Sequence, residues 1–114
     1  MFGFGAFFTF TPVGNGKCHV IISGTAYTIG NVAAVTIAGK YGTGTAPANN
    51  AASSGTNFGT TKVLISSSVS YGVGFAQTAV VYLSPGTTYW FDMAGYNGSN
   101  TSQISGVDFA IIEL

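Results

Sequence analysis

The sequence predicts an all-β domain folded as an antiparallel β-sandwich, and three observations carry that prediction. No segment repeats apolar residues at i, i+3, i+4 and i+7 over a useful length. β-branched and aromatic residues come in short bursts, and clusters of Gly, Ser, Asn and Pro separate those bursts. In 114 residues this pattern makes one domain of seven to nine short strands. The crossover helices of a βαβ fold are missing, which leaves a sandwich or jelly roll.

The strands are expected near Phe7 to Thr11, Lys17 to Gly24, Val32 to Tyr41, Thr61 to Ser66, Gln77 to Leu83, Thr87 to Tyr96 and Ile104 to Leu114. Two shorter ones are expected near Ala26 to Ile29 and Val69 to Tyr71. Pro12-Val13-Gly14-Asn15-Gly16 separates the first two strands, with Pro fixing φ and Gly free to turn. Ser84-Pro85-Gly86 has the same chemistry and predicts a hairpin between its flanking strands. The Asn97-Gly98 pair predicts a further turn, and Gly42 to Gly59, rich in small and polar residues, predicts the longest loop.

Alternation along the last two long strands is unusual. Tyr89, Phe91 and Met93 share one face while Trp90 and Asp92 share the other; Val107, Phe109 and Ile111 oppose Asp108, Ala110, Ile112 and Leu114. Neither strand has a plainly polar face. A sheet in a sandwich buries only one face in the core, so the second apolar face needs another cover, and a second subunit is the simplest one. Trp90, Ile112 and Leu114 are the candidate interface residues. Residues 1–11 form a separate aromatic segment ahead of the domain at 12–114. There Phe2, Phe4 and Phe8 begin either an ordinary first strand or an arm that lies on a neighbouring protein.

Composition narrows the function. Hydrophobic residues make up 46% of the chain and charged residues only 5%, against about 25% in ordinary proteins. Nine Phe, six Tyr and one Trp argue for a folded core. With a formal net charge of zero, the chain has little electrostatic protection against association. Three lysines and no arginine cannot make a nucleic-acid surface. No targeting peptide and no apolar run of the ~18 residues needed for a membrane-spanning helix is visible, so a cytosolic origin is expected.

Catalytic groups are few. Cys18 and His19 are adjacent on a strand, so their side chains diverge, and the same divergence argues against a zinc site. Asp92 and Asp108 are the one carboxylate pair that could suggest glycosidase chemistry. The Gly39 to Thr45 run lacks a phosphate-loop spacing. The expectation is a protein without catalytic residues, metal or cofactor.

Three stretches then resemble the small jelly-roll domains of tailed bacteriophages: Tyr41-Gly42-Thr43-Gly44-Thr45-Ala46-Pro47-Ala48-Asn49, Leu83 to Asp92, and Val107 to Leu114. Asn50 stands where that loop usually has Gly, and Met93 where the second motif usually has Leu. The resemblance spans Lys17 to Leu114. It implies a virion structural protein, made in the host cytoplasm, with a fold similar to the trimeric tumour-necrosis-factor and C1q-like jelly rolls. Two roles follow as expectations: a capsid decoration or cement protein bridging major capsid subunits, or a receptor-binding module of a tail fibre or baseplate that recognises a host glycan through the Gly42 to Gly59 loop.

Overall fold

Two antiparallel sheets facing each other make up the chain, as a computed structural model describes it for residues 1–29, 34–65, 72–96 and 101–114. The strands are β1 (Thr9–Phe10), β2 (Lys17–Ile29), β3 (Ala34–Thr43), β4 (Thr56–Ile65), β5 (Val73–Tyr82), β6 (Tyr89–Tyr96) and β7 (Thr101–Glu113), preceded by a single 3-10 turn at Phe4–Ala6. One sheet has the order β1-β6-β3-β4 and the other β5-β2-β7. The fold is therefore a β-sandwich, and among the described strands only β3 and β4 are consecutive neighbours within a sheet.

That topology corrects the hairpin expected at Ser84-Pro85-Gly86. The turn exists, with the Thr87 amide donating to the Ser84 carbonyl at 3.2 Å. Its flanking strands enter different sheets: β5 pairs with β2, and β6 with β1 and β3. Pro and Gly dictate that the chain reverses, but not which strand it then pairs with. The true hairpin, β3–β4, encloses a shorter loop than expected, because Thr56 to Gly59 already belongs to β4. The stretch at Ala26 to Ile29 continues β2 without a break, and the strand expected at Val69 to Tyr71 lies outside the described residues, as does the Asn97-Gly98 turn.

Alternation places the core. Cys18, Val20, Ile22 and Ala26 from β2, Val35 and Ile37 from β3, Phe75 and Val81 from β5, and Phe91 and Met93 from β6 all point between the sheets. On β7 the core face is Ile104, then Val107, Phe109 and Ile111. The step of three from Ile104 to Val107 requires an extra residue, and the β2–β7 register shifts there, from Ser23↔Asp108 to Thr25↔Ser105. Gly106 sits in this bulge at φ +58°, where a side chain would be strained. Without the bulge every residue on one side of it would face the wrong way.

The two open sides of the sandwich are closed differently. On one, Gln77 of β5, fully buried, donates from Nε2 to the carbonyls of Phe58 (2.8 Å) and Thr60 (3.0 Å) on β4, tying edge strand to edge strand. On the other, the segment ahead of β2 runs along β6, with the Phe91 amide donating to the Phe8 carbonyl and the Phe2 amide to the Met93 carbonyl.

Candidate assembly surfaces

Each sheet has an outer face, and each carries large apolar side chains beside polar ones. The outer face of β6 presents Trp90 and Asp92, the residues that alternate with core-facing Phe91 and Met93. Trp90 lies across from Gly42 in the β3–β6 register, and its indole occupies the space a side chain there would take: a Cβ on Gly42 would sit 2.6 Å from Trp90 Cζ2. The indole Nε1 donates to the Thr43 carbonyl at 3.2 Å. Gly5 closes over the other side of the ring, so Trp90 is 5% exposed within a single chain.

Asp92 explains why the N-terminal segment lies here. Its carboxylate accepts from the amides of Gly3 (3.0 Å), Phe4 (3.2 Å) and Met93 (2.7 Å). Burial pushes its carboxyl above the usual carboxylate range; the three amides and the Met1 ammonium pull it back without overcoming that burial. The Met1 ammonium donates to the Ala51 carbonyl at 2.8 Å and the Asn50 amide to the Met1 carbonyl at 3.0 Å, so the β3–β4 loop holds the segment from its other side. Asn50 adopts φ +66°, the left-handed conformation in which Asn is the common substitute for Gly.

The expected docking arm is thereby turned inward. Phe2 stacks on Phe4 at 6.0 Å, Phe4 meets Phe8 at 5.6 Å, and Phe8 stacks on Phe109 of β7 at 4.9 Å, which in turn meets core residue Phe91 at 5.4 Å. The three rings proposed to grip a partner form one aromatic row into the chain's own core. Trp90, expected at a subunit interface, is covered by the same segment and offers a partner almost no surface. The segment's outward ring is Phe7, 83% exposed, which the even-numbered pattern passed over.

Among the described residues nothing gives the outer face of β5-β2-β7 such a cover. Register aligns Val80, His19 and Ile112 in one row, and Thr78, Ile21 and Ala110 in the next. Val80 is 47% exposed, Ile112 62% and Leu114 56%, and Tyr82 beside them is exposed as well. Ile112 and Leu114, expected at an interface, are thus available to one. Val80 and Tyr82 extend the patch, and sequence reasoning missed them because only the alternation of the last strands was read. Lys17, His19, Asp108 and the Tyr82 phenol are polar interruptions on this face, and the His19 ring is hydrogen-bonded to Thr78 Oγ1 at 2.7 Å.

The end of β7 is clamped. Glu113 Oε1 accepts from the amides of Gly14 (2.9 Å) and Gly16 (2.8 Å), and Oε2 from Val13 (3.0 Å). These donations, led by Gly16, hold the Glu113 carboxyl below its usual range. The Leu114 amide donates to the Lys17 carbonyl at 2.7 Å, completing the clamp on the segment that carries Ile112 and Leu114. A Gly-Asn-Gly turn presents successive free amides, and that was the available sign of an anion site.

The remaining chemical candidates are kept apart. Cys18 is buried in the core while His19 points outward, and burial pushes the Cys18 thiol up, helped by the nearby Glu113 charge. Asp92 and Asp108 lie on the outer faces of opposite sheets, so the one carboxylate pair suggested by sequence is not assembled. Among the described residues no group of three or more His, Cys, Asp or Glu is placed to hold a metal, and no helix is long and apolar enough to cross a membrane. Comparison of the chain with protein-family models, with curated proteins and with solved structures finds no significant match.

Proposed function

We propose that this chain is a structural subunit that works by assembly, a capsid decoration or cement protein of a bacteriophage virion, and that it acts without catalytic residues, metal or cofactor. The observation that carries the reading is the uncovered apolar outer face of β5-β2-β7, centred on Val80, Ile112 and Leu114. Exposed apolar residues gathered on one face of a chain with no net charge mark an interaction site, since charge repulsion does not keep such a face apart from its like. In this reading the sandwich is a jelly roll, three copies pack about a threefold axis through this face, and the trimer seats on the shell against the major capsid protein. The three phage-like stretches support the virion setting.

The test is attachment. Purified protein added to undecorated capsids should sediment with them at a copy number in the hundreds per particle, in multiples of three, and should raise the temperature at which the shell opens. A few copies per virion, confined to the tail, would overturn the decoration role in favour of a tail module.

A further inference from the structure

Among the described strands, the sheet β1-β6-β3-β4 has one more than the sheet β5-β2-β7 that faces it. The mismatch falls on one side. Where β4 meets β5, the core-facing Phe75, Gln77 and Val81 of β5 are all buried beneath the Gln77 stitch. On the opposite side β7 is the last strand, and its core-facing Val107, Phe109 and Ile111 are each only half-buried. The Phe109 ring rests on Phe91 of β6 at 5.4 Å and on Phe8 at 4.9 Å, so β7 lies over the seam between β6 and the N-terminal segment. That segment therefore projects past β7, and its half-buried Phe8 and Phe10 form an apolar ledge that no described strand of the smaller sheet covers.

The edge above that ledge has ladder hydrogen bonds to give. The Leu114 amide donates to the Lys17 carbonyl, and in an antiparallel ladder every second residue repeats that direction, so Ile112, Ala110 and Asp108 turn their backbone groups to β2. Those of Phe109 and Ile111 turn away from it, and among the described residues no backbone group meets them. Natural sheet edges are blunted by Pro, Lys or a cover. Between Val107 and Ile112 there is neither Pro nor Lys, and Asp108 is the one charge. Asp108 is exposed, with Ser23 across from it on β2 and no described strand across from it on the open side.

We infer that the β7 edge takes up an extended segment of another protein as a fourth strand of its sheet. The backbone groups of Phe109 and Ile111 pair with the backbone of that segment. Apolar side chains at alternate positions on its inner face lie on Phe8 and Phe10, and a basic residue on its outer face sits beside Asp108. A second copy's β7 does not fit the same edge, because in a side-by-side pairing of two sandwiches both N-terminal segments would project into one space. The inference rests on the open edge and its ledge, and not on the bare outer face or the role proposed above.

The probe is a capped heptapeptide that alternates valine with threonine and carries one lysine among the threonines, and the readout is amide hydrogen exchange of the isotope-labelled full chain. Excess peptide should slow exchange at Phe109 and Ile111 by about tenfold or more. The same peptide with every amide methylated should give no protection, since it has no N–H to donate to the ladder. Replacing its lysine by glutamate should weaken binding, and Asp108→Lys in the protein should reverse that preference, with an unchanged thermal melt showing that the variant is folded. No slowing at either amide, equal protection by the methylated peptide, or the same charge preference in Asp108→Lys would overturn the inference. So would protection of the two amides that grows with protein concentration in the absence of peptide, which would give the edge to a second copy.

Discussion

β6 and β7 present the same problem to the fold and resolve it in opposite ways. Each is a core strand with a second apolar face turned outward. On β6 that face is covered from within: the segment from Met1 to Phe8 lies along it, anchored by the Asp92 carboxylate, and Trp90 ends almost fully buried. On β7 the outward residues Ala110, Ile112 and Leu114 stay in water, although the strand end carrying them is held in place by Glu113. The contrast shows that an apolar outer face has two sources of cover, the chain itself or another molecule. A buried carboxylate with amide donors from a distant segment marks the first, and a rigidly held but bare strand marks the second.

The comparison breaks most visibly if the cover of β6 is removed. Deleting Met1 to Thr9 exposes Trp90, strips Asp92 of two amide donors and removes Phe2, Phe4 and Phe8, each worth about 1.5–3 kcal/mol when buried. Against a total stability of roughly 5–15 kcal/mol, the truncated chain should melt far lower or fail to fold. A thermal melt that matches the full chain would mean the segment is a loose arm after all.

Trp90→Ala isolates one side chain of that cover and should cost about 3–5 kcal/mol in chemical denaturation, the range for removing a large buried aromatic ring. A change within about 0.5 kcal/mol, typical of surface sites, would show that the ring is not held between Gly42 and Gly5.

Glu113 sharpens the other half of the contrast. Its carboxyl is held below the unfolded value of about 4.3, so its contribution is complete above that pH and is lost as pH falls through the lower folded value. Glu113→Gln should therefore exchange the Leu114 amide proton faster than the parent near neutral pH, and the difference should close under strongly acidic conditions. A difference independent of pH would mean that the clamp does not act through the carboxylate charge.

How far the sequence foretold this arrangement depends on which interaction sets each part. The two-sheet class and the core face of β7 from Val107 onward follow from alternation, which is local. The bulge at Gly106 was not foreseen, because alternation read from one end does not reveal an inserted residue; only Ile104 falling on the core side exposes it. The Ser84-Pro85-Gly86 turn was read correctly as a reversal and wrongly as a hairpin, since strand pairing is settled by the whole sheet. Trp90 and the phenylalanines were recognised as needing cover. Gly5 against the Trp90 ring and Phe8 against Phe109 are contacts between distant parts of the chain, and no local pattern encodes them. Asn50 holds φ +66°, and the residue type alone, which tolerates that conformation without requiring it, does not announce it. Gln77 was read only as the start of a strand, and nothing in its neighbours signals that its amide stitches two edge strands.

The bare face carries the central claim, and Ile112→Asp probes it with the least disturbance to the fold, because the side chain is 62% exposed. Sedimentation velocity of the wild-type chain at micromolar concentration, beside that variant, is the direct measurement. The account predicts a trimer for the wild type and a monomer for Ile112→Asp, with melting of the isolated subunit changed by no more than about 0.5 kcal/mol. A wild-type chain that sediments as a stable monomer, or an Ile112→Asp variant that assembles as the wild type does, would contradict it.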